Sequence, residues 1–193
     1  MKKNLQHARN LADQIFTQPH GSIYGALSRI NEGREALAGY LFLFRMQDRN
    51  SKRMLLQLYS GLGEIGGDLW EQEARTLMRL SSLSHPGLPR VLDGGHKSDQ
   101  DIAFVLTEEA RFTMTEEGAM AYMAKHPKDS LRQLVLLADA LRQIHSWRML
   151  HRNLWPGALE VVKEPENSQE TDQETVALRL ARFEMSTLVS NLL

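Results

Sequence analysis

The chain has 193 residues, 42% of them hydrophobic and 24% charged, with a formal net charge of -1 and no cysteine. That length and apolar content suit one globular domain, or two small lobes, whose core folds without disulfides or metal. The missing cysteine excludes a disulfide scaffold, a thiolate metal site and a cysteine nucleophile, and the near-neutral balance gives no electrostatic pull toward nucleic acid or an anionic membrane.

No apolar run is long enough to span a bilayer. The opening Met1-Lys2-Lys3 leads into Asn4-Leu5-Gln6-His7 and not into the apolar core of a signal peptide. The expectation is a soluble, cytoplasmic protein. Residues 4–16 place Leu5, Ala8, Leu11, Ala12, Ile15 and Phe16 on one helical face, and Thr17-Gln18-Pro19-His20-Gly21 stops the helix. This helix is expected to pack on its own domain, with a helix kept for a partner as the alternative.

Residues 29–59 read as β-rich. Tyr40 to Arg45 and Met54 to Tyr59 are short apolar runs, joined by the hairpin turn Gln47-Asp48-Arg49-Asn50-Ser51-Lys52. A glycine-rich loop at 61–67 leads to a predicted helix from Leu69 to Ser81, with Trp70, Ala74, Leu77 and Leu80 as its apolar positions. His85-Pro86-Gly87-Leu88-Pro89 ends that region. Two strand-like runs follow, Arg90 to Asp93 and Ile102 to Thr107. Met114 to Lys125 reads as helical. Ser130-Leu131-Arg132-Gln133 then forms a capping box for a helix running to His145. Its apolar side carries Leu131, Leu134, Val135, Ala138, Leu141 and Ile144, widened by Leu136 and Leu137, which predicts a well-buried helix. The acidic run 164–174 is a solvated loop, or alternatively a docking segment, between Leu159-Glu160-Val161-Val162 and Val176-Ala177-Leu178-Arg179-Leu180. Strands with one helix among them, followed by helices, make a two-lobe α+β layout.

The segment Ile144 to Leu159 contains His151-Arg152-Asn153-Leu154 and resembles the catalytic loop of protein kinases, H-R-D-L-x-x-x-N. Leu178-Arg179-Leu180-Ala181-Arg182-Phe183-Glu184 falls where kinases carry D-F-G. His85 to Leu92 is similar to the turn after the kinase αC helix, and Phe104 to Glu108 to the fifth strand and hinge. The resemblance covers about residues 29–193, in kinase order. It implies a protein kinase-like α+β fold: an N-terminal helical extension at 1–28, a small antiparallel sheet lobe with an αC-type helix at 29–107, and a partial helical lobe at 108–193.

The resemblance also locates the chemistry, and each part of it is replaced. Kinases position nucleotide and acceptor and neutralise developing charge with metal ions and a lysine. Asn153 stands at the catalytic aspartate, and an amide is no useful base. Ala158 stands at the metal-holding asparagine and has no ligand atom. Arg182 stands at the metal-binding aspartate, where its fixed charge repels a divalent cation. Gln57 falls at the third-strand lysine, so the phosphate contact and the ion pair to the αC glutamate (Glu71 or Glu73) are lost. The phosphate-covering loop, Asn31 to Ala36, keeps Gly33 but lacks the repeated glycines. Trp155 occupies the place of a kinase lysine near the transferred phosphate. Losing one such electrostatic group costs about 10²–10³ in rate, and four are changed together.

The resemblance therefore implies a pseudokinase module, not an enzyme, acting as a protein-interaction, regulatory or scaffold domain. The alternative is an atypical ATP-binding kinase-like enzyme, or a nucleotide sensor, completed by another chain. No cofactor and no metal site are expected. Nucleotide binding would be weak and metal-independent, through Gly33 and Arg182, unless Arg182 pairs with Glu184 or an αC glutamate. His145 and His151 lack a ligand pattern. Gly61 to Gly67 lacks the Gly-Lys-Ser/Thr of a phosphate loop. The sequence stops at Leu193, shortly after the D-F-G position. The apolar face of 131–145 is expected to be covered by the remaining kinase-like lobe, by a protein partner, by self-association or by helix 4–16. Neither nucleic acid nor membrane is expected as a partner.

Overall fold

The computed structural model describes all residues except 1, 19–21, 38, 64, 83–84, 110–111, 114–116, 153, 155–157, 164–175, 182, 184–186 and 189–193. The chain divides into two compact units, Met1–Arg75 with Val91–Glu109, and Thr76–Arg90 with Ala110–Leu193. Both mix helix with antiparallel strands, so the fold is α+β.

The first unit begins with α1 (Lys2–Phe16) and continues through β1 (Ser28–Arg29), β2 (Arg34–Leu37), β3 (Leu41–Gln47) and β4 (Arg53–Ser60). Helix α2 (Ile65–Ser81) follows, and its first turns belong to this unit. Strands β5 (Val91–Lys97) and β6 (Ile102–Glu108) close it. The sheet runs β1-β3-β4-β6-β5 with β2 also on β3, and every pair is antiparallel. The β3–β4 hairpin turns where the sequence indicates. Asp48 Oδ1 accepts from the amides of Asn50 and Lys52, both at 2.8 Å, the side-chain-to-backbone bonding that favours Asp in turns.

Strand alternation sorts β4 into two faces. Met54, Leu56 and Leu58 join Phe42, Phe44 and Phe104 in a core that α1 seals with Ala8, Ala12, Ile15 and Phe16. Asp13 of α1 binds Arg29 in two parallel bonds of 2.8 Å, and Arg29 holds the Asp13 carboxyl below its ordinary value. Helix α1 is thus packed on its own unit, as its spacing predicts. Its apolar stripe faces this sheet.

The predicted start of α2 at Leu69 is four residues late. Gly66 and Gly67 belong to its first turn. A Cβ on Gly66 would lie 1.9 Å from the Ser60 carbonyl oxygen, and one on Gly67 would lie 2.0 Å from that of Leu62. Close backbone approach is what demands glycine here.

The second unit contains the end of α2, strand β7 (Phe112–Thr113), helices α3 (Glu117–Lys125) and α4 (Pro127–Ser146), and strands β8 (Met149–Leu150), β9 (Leu159–Lys163), β10 (Val176–Leu180) and β11 (Thr187–Leu188). The small sheets run β10-β9-β7 and β11-β8. Two expectations about α4 are corrected. The helix starts at Pro127, a favoured first position, and Ser130 does not cap it. Ser130 Oγ donates within the helical chain, 2.9 Å from the carbonyl oxygens of Met123 and His126. The buried side is Ser130, Gln133, Leu137, Ala140 and Ile144. Leu131, Leu134 and Val135, predicted to be buried, are 64%, 49% and 63% exposed. No helix among the described residues is long and apolar enough to cross a membrane.

Candidate functional site

In the first unit the decisive strand is β4. Gln57 and Tyr59 are two residues apart and share the face opposite Leu56 and Leu58. Tyr59 is fully buried, and its hydroxyl donates to Glu73 Oε2 on α2. The same hydroxyl lies 3.3 Å from Gln57 Oε1. Glu73 is 1% exposed. Of the two αC-type candidates, Glu73 therefore faces the sheet, while Glu71 pairs with Arg75 at 3.0 Å on the exposed side. Spacing selects Glu73 in retrospect: it falls three residues after Trp70 and four before Leu77, inside the apolar stripe.

Gly33 has φ +74, and a Cβ there would sit 2.3 Å from two ring carbons of Phe44. Phe44 belongs to the α1-facing core, so Gly33 and Gln57 are not brought to one face. The loop before β2 is fastened from outside. Arg9 donates to the Glu32 carbonyl at 2.6 Å and pairs with its carboxylate at 2.8 Å, while Asn31 Oδ1 accepts from the Arg45 amide at 2.9 Å.

In the second unit the catalytic-loop resemblance centres on His151, which is buried. Its Nε2 lies 2.7 Å from the Ala181 carbonyl. A carbonyl only accepts, so Nε2 carries the proton. The ring meets Phe183 edge-on at 4.6 Å. Ala158 is fully buried, and its carbonyl accepts from the Ala181 amide at 2.7 Å. Arg152, next to His151, is exposed with φ 59. Asn153, Trp155, Arg182, Glu184 and the acidic run 164–174 lie outside the described residues.

Further polar contacts hold this region, and sequence reasoning missed them. Gln133 Oε1 accepts from the Leu178 amide at 2.9 Å. Arg179, 1% exposed, lies directly across from Glu160 and binds it at 2.9 Å. His85 Nδ1 accepts from the Gly87 amide at 2.9 Å, which leaves Nε2 to donate to Asp139 at 3.0 Å. Arg142, with His85, holds the Asp139 carboxyl below its ordinary value. Gly87 in turn accepts from the Leu180 amide at 2.9 Å. The His85–Gly87 turn is thereby tied to both α4 and β10.

His145 is exposed while His151 is bonded to a carbonyl. Among the described residues, no three His, Asp or Glu side chains converge on a point that could hold a metal ion. No family model matches the sequence, and no curated protein matches it.

Proposed function

We propose that the chain is a catalytically inactive, protein kinase-like module that acts by binding protein partners in a regulatory or scaffolding role. The observation that carries the reading is the Tyr59–Glu73 bond beside Gln57. In a kinase the inward glutamate pairs with the lysine that contacts the nucleotide phosphates. Here the strand residue that bonds the inward glutamate is a phenol, and the residue at the lysine position is an amide. Neither brings a positive charge to a phosphate at neutral pH. Buried Ala158 offers no metal ligand, and the sequence places an amide at the base (Asn153) and a cation at the metal carboxylate (Arg182).

The architecture is consistent with this reading: an antiparallel sheet with one helix between its strands, followed by helices and short ladders. The exposed stripe Leu131, Leu134 and Val135 on α4 supports a binding role, because a contiguous apolar face of this kind marks interaction surfaces.

The test is phosphoryl transfer from radiolabelled ATP with Mg²⁺ or Mn²⁺, comparing the wild type with Asn153→Ala. The expected result is no label above background in either. Transfer that Asn153→Ala abolishes would establish an enzyme instead. A thermal-shift titration with an ATP analogue, run with and without Mg²⁺, completes the comparison. A metal-independent rise in melting temperature would favour the nucleotide sensor.

A further inference from the structure

We propose that α2 is latched to β4 in one position, without any ligand, by a buried phenol–carboxylate bond and two glycine-sized backbone contacts. A buried carboxylate is costly unless it is hydrogen-bonded, and the Tyr59 hydroxyl supplies such a bond to Glu73 from a fully buried strand position. Moving α2 off the sheet would break that bond and cost two buried polar groups a partner.

The second observation is independent of the first. Gly66 and Gly67 bring the α2 backbone against the carbonyls of Ser60 and Leu62, leaving no room for a Cβ at either position. Those carbonyls follow Tyr59 almost directly in the chain. They are backbone atoms and cannot swing aside as a flexible side chain would. Gly66 and Glu73 are seven residues apart, close to two helical turns, so both contacts lie on the side of α2 that faces β4. The Glu71–Arg75 pair on the opposite side has side chains 56% and 74% exposed and adds little restraint.

The latch goes beyond the functional reading above. Its geometry stands without that reading. Its meaning, a binding module whose helix no nucleotide repositions, rests on it.

Hydrogen exchange of the intact chain, followed on peptides covering 65–75, tests the latch. Tyr59→Phe should speed exchange of these amides roughly tenfold or more, while β3 and β6 amides stay within about twofold of wild type. Unchanged exchange in α2, or equal acceleration of α2 and the sheet, would make Tyr59 ordinary core and overturn the proposal. The second arm needs no variant. Wild-type exchange at 65–75 should be the same with and without millimolar Mg·ATP, and protection gained on adding it would overturn the latch. Phosphoryl transfer with unchanged α2 exchange would sink the inactive reading and leave the latch standing.

Discussion

Phe16→Ala asks whether α1 is part of the first unit or an appendage to it. Phe16 is fully buried and meets Phe104 edge-on, with ring centroids 4.9 Å apart and planes at 81°. Truncating a buried Phe costs about 3–5 kcal/mol, of which the edge-to-face contact accounts for roughly 0.5–1.5 kcal/mol. Set against a typical domain stability of about 5–15 kcal/mol, that is a large fraction. The helix has 15 residues, a length at which isolated helices are marginal in water. It persists because the sheet takes its apolar face. The assay is urea denaturation followed by far-UV circular dichroism, with Val135→Ser as the comparison. Val135 is 63% exposed, so its replacement should move stability by no more than about 0.5 kcal/mol. A loss below about 1 kcal/mol for Phe16→Ala, or equal losses at the two sites, would refute the assignment of buried and exposed faces.

Three further outcomes follow from particular contacts. Because Arg29 holds Asp13 below its ordinary 3.8, the folded state takes up that proton less readily than the unfolded state. The pair therefore stabilises in full above that value, and its contribution is lost as pH falls through the depressed folded value. The side chains are 42% and 19% exposed, so the contribution is at most about 1 kcal/mol. Asp13→Asn should flatten the corresponding slope in urea midpoint measured from neutral pH down through the acid range. Gly67→Ala should destabilise by about 1–3 kcal/mol despite alanine's better helix propensity, because its Cβ meets a backbone carbonyl. Gly63→Ala, with open space around it, should not destabilise, and equal melting temperatures for the two variants would contradict the close approach. Gln133→Leu removes the acceptor for the Leu178 amide and should cost about 1–3 kcal/mol. The Leu178 amide should lose hydrogen-exchange protection ahead of the rest of β10, and retained protection would mean that another acceptor serves it.

The parts of this structure that sequence made legible are those where one physical rule acts alone. Helix α1 follows its apolar spacing, and the β3–β4 hairpin follows its apolar runs and the Asp48 turn. The start of α2 was misread because glycine is a poor helix former. The tight approach of Gly66 and Gly67 to β4 and the loop overrides propensity, and only tertiary structure reveals that demand. At the candidate site, the proposed reading singles out Gln57 through the resemblance alone. The Tyr59–Glu73 contact was not legible, since Tyr59 looks like one more apolar strand residue until Glu73 is known to face it. The ion pair Arg179–Glu160 was hidden for a similar reason. Two charged residues 19 positions apart in sequence become partners only when the β9–β10 register is known.

Helix α4 carries the most instructive reversal. Counting apolar residues identifies the right helix and, in Leu137 and Ile144, part of its buried side, but misplaces Leu131, Leu134 and Val135, because the count treats a polar side chain as one that seeks water. Gln133 meets the Leu178 amide, and Ser130 meets two carbonyls. A buried backbone group without a partner costs about as much as burying an apolar side chain gains. The polar residues therefore turn inward with Leu137, Ala140 and Ile144, and Leu131, Leu134 and Val135 are left outside. Among the described residues, none of those three belongs to the buried core of the second unit. Replacing them should leave its stability nearly unchanged, so under the proposed reading their character belongs to binding. That separation makes α4 the place to look for a partner: substitutions there should weaken association while the fold stays intact, whereas substitutions at Gln133 or Ile144 should damage both together.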